Sequence, residues 1–329
     1  MAFTVTIEPD GRCFDALEDE TLLQAARRNG IILPYECGWG CCGTCKVSVL
    51  QGETDLMFAA APAVGPSDRR RGRVVACQAR ARSDLTIKLP PGAMPHVSIA
   101  CKEQRAHLLA VEELAPDIRR FTFRPEDAAE FLCGQYAIFH LGAGVRRAYS
   151  MCNLPDGETL QFISKRYEGG VGSNALAAMR PGDALVVEGP FGTCTLKPRP
   201  GRKIFIAGGT GISPILSLIR QAASEAVDFE APVDVLYCVR RPADLAAGDD
   251  LAEAVAGIKG ACYRPFVEDN AEDQSIPAGR ATDAVGALDF DPQDTEFYVA
   301  GPPVMVNAVK ALLKEAGVPI TRIYYDSFG

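Results

Sequence analysis

The chain has 329 residues, 47% hydrophobic and 23% charged, with 31 Gly, 23 Pro and 12 Cys. That composition supports packed cores and excludes a disordered chain, and at about 150 residues per domain the length predicts two or three domains. A formal net charge of -8 argues against duplex nucleic acid or an anionic membrane surface as the main partner.

From the N-terminus, Phe3–Ile7 and Arg12–Ala16 alternate as two strands of a hairpin across Pro9-Asp10-Gly11. Thr21–Asn29 reads as a short helix stopped by Gly30, with Arg27 and Arg28 in its last turn. The opening residues lack the basic and apolar regions of a secretory leader, and no run of about 18 apolar residues suggests a membrane span. A cytoplasmic chain is expected, and such a chain would not keep 12 cysteines as disulfides. Metal or redox chemistry is the better reading of them.

Four cysteines fall within Cys37-Gly-Trp-Gly-Cys41-Cys42-Gly-Thr-Cys45. Cys37, Cys42 and Cys45 with the later Cys77 give C-x4-C-x2-C…C, the plant-type [2Fe-2S] spacing. Three thiolates in so tight a loop require sharp backbone bends, which Gly38, Gly40 and Gly43 supply. Zinc sites usually pair two C-x2–4-C knuckles, and Cys77 has no such neighbour. Cys41 is read as a thiol of the loop that is not a ligand. Cys13, Cys101, Cys133, Cys152, Cys194, Cys238 and Cys262 are read as small buried hydrophobes. Lys46–Leu50 and Leu85–Leu89 alternate as strands. Residues 1–92 thus resemble a plant-type ferredoxin, an α+β domain of β-grasp form.

Pro90–Pro95 is the best linker in the chain. Beyond it, His107–Glu112, Ile118–Arg124, Tyr136–Leu141, Leu160–Lys165 and Ala184–Glu188 predict a small antiparallel β-barrel over residues 102–199. Within it, Gly134-Gln-Tyr136, Arg147-Ala-Tyr149-Ser150 and the glycine loop Gly169–Asn174 occur in the order found in the ferredoxin-NADP reductase superfamily. The resemblance implies a flavin domain. An aromatic ring (Tyr149) would cover the isoalloxazine, the next residue (Ser150) would reach flavin N5, and Arg147 would neutralise phosphate. Gly170, Val171, Gly172 and Ser173, ahead of a helix read over Ala175–Met179, would cradle a pyrophosphate, favouring FAD over FMN.

Arg202–Ala207 predicts an apolar strand, and Gly208-Gly209-Thr210-Gly211-Ile-Ser213-Pro214 a turn into the helix Ile215–Ile219, with Ser213 as N-cap and Pro214 at the first position. This is not G-x-G-x-x-G, which disfavours a standard Rossmann dehydrogenase. Val233–Tyr237 and Glu296–Ala300 follow as strands. The latter ends at Gly301-Pro302-Pro303-Val304-Met305, ahead of a helix over Val306–Ala316. Residues 200–329 therefore predict a parallel-sheet α/β nucleotide-binding domain.

Both glycine motifs belong to the same superfamily, and the whole chain resembles NADH-dependent ferredoxin-type reductase components of bacterial multicomponent oxygenases, especially Rieske ring-hydroxylating ones. The resemblance implies an electron path from NADH through FAD and the [2Fe-2S] cluster to a terminal oxygenase, in a monomeric reductase. It assigns the nicotinamide site to Gly208, Gly209, Thr210, Gly211, Arg240, Gly301, Pro302 and Met305. A C-terminal aromatic would lie against the flavin, and Phe328 is the candidate, with Tyr324 and Tyr325 as core. The family often has a cysteine where this chain has Ala300, so no thiol is assigned to hydride transfer. Asp244 would oppose a 2′-phosphate near Arg240 and Arg241, which favours NADH.

Residues 1–90 carry 11 Lys+Arg and 11 Asp+Glu, so the whole charge of -8 lies beyond them. Arg69-Arg70-Arg71-Gly72-Arg73 is a local basic run shortly before Cys77. Rival readings are the reductase of a soluble diiron monooxygenase or of deoxysugar formation, and a redox-sensing Fe-S protein. The last has no use for flavin and nicotinamide motifs.

Overall fold

Strand alternation near the N-terminus produces the expected hairpin. β1 (Ala2–Glu8) and β2 (Cys13–Leu17) pair antiparallel, and Val5 and Ile7 point into the core at 0% and 1% exposure. α1 (Leu22–Arg28) starts where Thr21 and Gln24 form a capping box, each side chain bonding the other's backbone N–H. Such a box is worth about 1 kcal/mol. β3 (Lys46–Gln51), β4 (Thr54–Leu56), α2 (Pro66–Arg70), β5 (Arg73–Val75), β6 (Ala79–Ala81) and β7 (Leu85–Lys88) complete this part. The main sheet runs β2-β1-β7-β3-β5, with β4-β6 as a separate pair.

The chain is described from a computed structural model, at residues 2–31, 33–35, 40, 43–57, 61–90, 99, 101–142, 145–197, 199–270 and 273–328. It divides into two compact units, Met1–Cys101 and Lys102–Gly329. Of the linker read at Pro90–Pro95, residues 91–95 lie outside the described residues.

The second unit opens with β8 (Lys102–Ala115), β9 (Ile118–Pro125), β10 (Tyr136–His140), β11 (Arg146–Ser150), β12 (Leu160–Lys165), α3 (Val171–Ala178) and β13 (Ala184–Phe191). The six strands form one antiparallel sheet, β11-β10-β13-β8-β9-β12, and a Met151–Phe162 bridge closes it into a barrel. Phe123, Phe139 and Phe162 fill it edge-to-face, with centroids 4.6–6.1 Å apart. The Arg147–Ser150 segment is itself a strand of the barrel.

β14 (Lys203–Gly208), α4 (Ile212–Ser224), β15 (Val233–Val239), α5 (Gly248–Ala256), β16 (Ala261–Val267), α6 (Ala281–Gly286), β17 (Glu296–Gly301), α7 (Pro303–Glu315) and β18 (Ile323–Ser327) build the α/β part. Its sheet, β16-β15-β14-β17-β18, is parallel at every pairing. β14 and β17 are buried along their whole length, so Lys203 and Glu296 meet as a buried ion pair at 2.6 Å.

The barrel and the α/β part share one hydrophobic core, in which Ile118 and Ile163 pack with Ile212, Ile215 and Ile219 of α4. Ser217 Oγ donates to the Asn153 carbonyl at 2.7 Å, and Arg220 to the Cys152 carbonyl at 3.0 Å. Arg120 of β9 pairs with Asp250 of α5. No helix among the described residues is long and apolar enough to cross a membrane.

Several expected boundaries move. α3 begins at Val171, with Gly170 as its N-cap, because the glycine loop already forms the first helical turn. α4 is capped by Gly211 after a 3-10 turn at Gly209–Gly211, so Ser213 is an interior helical residue and not the N-cap. α7 begins at Pro303, three residues before the predicted start. Cys13 and Cys262 are exposed and Cys101 is half-buried, against the expectation that the single cysteines are buried; Cys13 and Cys262 each lie on a strand face that covers no core.

Candidate functional site

Cys45 sits just before β3 and Cys77 just after β5, and antiparallel pairing of Lys46 with Val75 brings them to the same end. The Ala76 amide donates to the Cys45 carbonyl at 2.9 Å. Both thiols are buried, with their sulfurs 3.3 Å apart. A disulfide would need about 2.05 Å. Two thiolates on one tetrahedral metal at about 2.3 Å each stand about 3.8 Å apart, closer to what is seen.

Gly40 and Gly43 take φ of +83° and +80°. A Cβ on Gly40 would also fall 3.0 Å from both Ala61 and Gln78, so the bend there needs glycine. A buried, all-sulfur donor pair beside a glycine-bent loop fits an iron–sulfur cluster. Cys37, Cys42, Cys41 and Gly38 lie outside the described residues.

In the second unit, β11 presents Arg147, Tyr149 and Ser150. Alternation puts Arg147 and Tyr149 on one face and Ser150 on the other. The Tyr149 ring lies 4.9 Å from Phe139. Burial pushes its phenol pKa up, with a Ser164 hydrogen bond acting the other way.

Arg147 and the glycine loop, separated in sequence, come together. A Cβ on Gly172 would fall 2.6 Å from Arg147 Cγ, so the arginine stem packs directly on the first turn of α3. A guanidinium beside a helix N-terminus is a cradle for a pyrophosphate, and only glycine leaves room for it. Gly170 caps the helix and Val171 is 63% exposed at the mouth. The Ser173 hydroxyl is engaged in the loop itself, accepting from the Tyr167 amide at 3.1 Å and donating to the Gly170 carbonyl at 3.3 Å.

At the α/β end, glycines allow two strand ends to interlock. A Cβ on Gly208 would fall 2.2 Å from Met305 Sδ, and one on Gly211 would fall 2.1 Å from the Ala300 carbonyl oxygen. A Cβ on Gly301 would meet Met305 Cε at 2.8 Å. Gly209, at φ +54°, has nothing within 4 Å of its Cβ position, which leaves the turn backbone open to a ligand. Thr210 lies in the same turn, and Pro302 is the N-cap of α7. Ser213 Oγ is buried and has no hydrogen-bond partner among the described residues. Open glycine backbone at the carboxyl ends of parallel strands fits a dinucleotide.

β18 joins the two sites. Its Asp326 carboxylate accepts a 2.7 Å hydrogen bond from Ser150 Oγ, and the Phe328 amide, just beyond it, donates to the Gly301 carbonyl at 3.0 Å. Tyr324 stacks on Tyr298 at 5.0 Å, and Lys310 lies 3.5 Å over the Tyr325 ring. Asp326 escaped sequence reasoning, although an acid in a C-terminal segment next to aromatics was the available signal.

Arg240 is exposed at the end of β15. Asp244, expected to oppose a 2′-phosphate, has its carboxylate held by Lys165 of β12 at 2.7 Å and Arg241 at 3.4 Å. Burial pushes its pKa up, but the hydrogen bonds and charges of Lys165 and Arg241 together outweigh burial and hold it below the usual value. Lys165 was also missed, because it lies 79 residues from its partner.

The N-terminal unit matches the 2Fe-2S iron-sulfur cluster binding domain at residues 5–82. The oxidoreductase FAD-binding domain matches at residues 105–196 and the oxidoreductase NAD-binding domain at residues 205–311. The ferredoxin–NAD(+) reductase component of the alkene monooxygenase system of Xanthobacter autotrophicus is 32% identical, over 97% of this chain and 98% of that protein. The Amycolatopsis cytochrome P450 reductase GcoB superposes with a TM-score of 0.88 at 30% identity, covering 99% and 98% of the two chains. The ferredoxin reductase in carbazole 1,9a-dioxygenase gives a TM-score of 0.84 at 32% identity, covering 100% and 99%.

Proposed function

The chain belongs to the ferredoxin–NAD(P)+ reductases that carry an N-terminal [2Fe-2S] domain, and from that premise we propose that it delivers electrons to a terminal oxygenase of Rieske type. It is an NADH-dependent oxidoreductase that uses FAD and a [2Fe-2S] cluster. When bound, FAD supplies conversion of a two-electron donor into single-electron flow, and the cluster supplies a one-electron relay.

The protein's own residues do the rest. Arg147 with the Gly170–Gly172 turn would hold the FAD pyrophosphate, and Tyr149 would cover the ring system. Gly208–Gly211, Arg240, Gly301, Pro302 and Met305 would hold the dinucleotide. Ser150, its proton donated to Asp326, would turn its hydroxyl oxygen toward flavin N5, while Phe328 would shield the face that nicotinamide approaches. Cys37, Cys42, Cys45 and Cys77 would ligate the iron. We place domain boundaries at 1–92, 102–199 and 200–329, in a cytoplasmic monomer supplied with NADH.

The observation that carries this reading is β18, which ties Ser150 of the flavin motif to the nicotinamide strand end through Asp326 and Phe328. The visible spectrum of the purified protein tests it. Flavin and iron–sulfur bands should both be present and both be bleached by NADH; absence of either sinks the reading. A monooxygenase partner is the second reading, favoured by the alkene monooxygenase relative at 32% identity over 97% of the chain. Product formation with purified Rieske-type and monooxygenase components, each supplied by this reductase, separates the two.

A further inference from the structure

The N-terminal unit is electrically neutral in sum but not in arrangement. Residues 1–101 hold 11 Lys+Arg and 11 Asp+Glu. Asp10, Asp15, Glu18, Asp19 and Glu20 lie in or beside β2, one edge strand of the sheet, where Arg12 pairs with Asp10 and Arg28 with Glu20, so this edge keeps a net negative charge. The opposite edge is β5, and α2 leading into it exposes Arg69 and Arg70, followed by exposed Arg71.

The acid of α2 does not offset these cations. Asp68 turns away from solvent, accepting from Lys46 Nζ at 2.9 Å and from the Gly65 amide at 3.3 Å, with Arg73 at 3.8 Å. Lys46 is the residue after Cys45, and β5 runs on to Cys77. The exposed charged side chains of α2 and the residue after it are therefore Arg69, Arg70 and Arg71, beside the uncharged Pro66 and Ser67. Asp68 ties α2 to Lys46, the first residue of β3 and the residue after Cys45.

We propose that Arg69, Arg70 and Arg71 are the docking surface for an acidic electron-acceptor protein, turning the cluster edge of the unit toward it. A neutral body with a charge dipole gains orientation, and hence productive encounters, where uniform charge would give only attraction. The proposal rests on the reading that electrons leave through the cluster.

The test uses the full chain and its R69Q/R70Q/R71Q variant, with NADH as donor. Acidic cytochrome b5 and basic cytochrome c serve as protein acceptors, and ferricyanide reports the flavin. The cytochrome b5 rate of the unaltered chain should fall as ionic strength rises from about 10 to about 200 mM, as screening shortens the Debye length. The variant should be roughly ten-fold slower toward cytochrome b5 at low salt, within the usual range of steering effects, and should lose the salt dependence. Ferricyanide turnover and the first-order bleaching of the cluster by NADH should not change, and cytochrome c reduction should not slow.

Equal cytochrome b5 rates in the two proteins would overturn the proposal. So would a loss confined to cluster bleaching, which would mean that the arginines face the acidic remainder of this chain. If ferricyanide is reduced but neither cytochrome is, the exit through the cluster fails, and the docking proposal with it.

Discussion

Asp326 does for Ser150 what no neighbour in sequence could: it fixes the hydroxyl from 176 residues away, at 2.7 Å. Removing the carboxylate frees the hydroxyl to rotate, and misplacement of a reacting group by about 1 Å can cost about 10²-fold. Asp326→Ala should therefore lower kcat by roughly ten- to a hundred-fold with KM for NADH and FAD content unchanged, and Asp326→Asn should restore part of it. Because the two residues act as a unit, Ser150→Ala made on top of Asp326→Ala should add little. Additive losses in steady-state ferricyanide reduction would show that the hydrogen bond is incidental. Gly211 is constrained differently. Its φ is ordinary, but an added Cβ would fall 2.1 Å from the Ala300 oxygen and 2.8 Å from the Gly301 nitrogen, both backbone atoms. Forcing a methyl into such a place costs about 1–3 kcal/mol. At roughly 2–4 °C per kcal/mol for a unit of this size, Gly211→Ala should lower Tm by about 2–12 °C. The NADH KM should rise while FAD stays bound, as separate measurements of nucleotide affinity and flavin content would show.

Between elements, the Lys165–Asp244 pair ties β12 of the barrel to the loop after β15 at 2.7 Å, with the Asp244 side chain 9% exposed. Asp244 has a folded pKa below its ordinary value of 3.8, so its contribution is complete above that value and disappears as pH falls through the folded pKa. Asp244→Asn leaves a partly buried ammonium without its counter-ion and should destabilise the second unit by about 1–3 kcal/mol at pH 7. Below about pH 4 the difference from the unaltered protein should shrink, because Asp244 itself becomes protonated. Denaturant titrations at pH 7 and pH 3.5 check both the size and the sign. This pair also marks how far sequence patterning reaches. Period-two alternation located β9, β10, β12 and β13, and the glycine motifs located the strand-to-helix turns, because these signals are local. Lys203 inside a fully buried strand, the Lys165–Asp244 pair and the Asp326–Ser150 bond were not legible, since each depends on partners 79 to 176 residues away. Helix starts were placed late for a related reason. Gly170, Gly211 and Pro302 cap through backbone conformation, with no side-chain signal of the Thr21 kind.

In the whole molecule, the division of cores sets what can be separated. Val5, Leu22, Val47 and Ile87 belong to a cluster made wholly of residues before position 90. Ile118 and Ile163 of the barrel share another with α4 and with Val233 and Val235 of β15. Barrel and α/β part are further held by Arg120–Asp250, Lys165–Asp244 and the Ser217–Asn153 bond. Cutting between those two would expose shared apolar surface at about 25 cal/mol per Å² and strand buried charges. Cutting at Cys101 opens neither core. A fragment of residues 102–329 should therefore fold, bind FAD and reduce ferricyanide with NADH at a rate within about two-fold of the full chain, since every residue assigned to flavin and nicotinamide lies within it. It should lack iron–sulfur absorption and reduce neither cytochrome b5 nor cytochrome c, because the only thiols assigned to the relay precede residue 78. A fragment of residues 200–329, cut inside the shared core, should be insoluble or molten by near-UV circular dichroism. If instead residues 102–329 reduced cytochrome c as fast as the full chain, electrons would be leaving from the flavin, and the N-terminal unit would have some task other than their delivery.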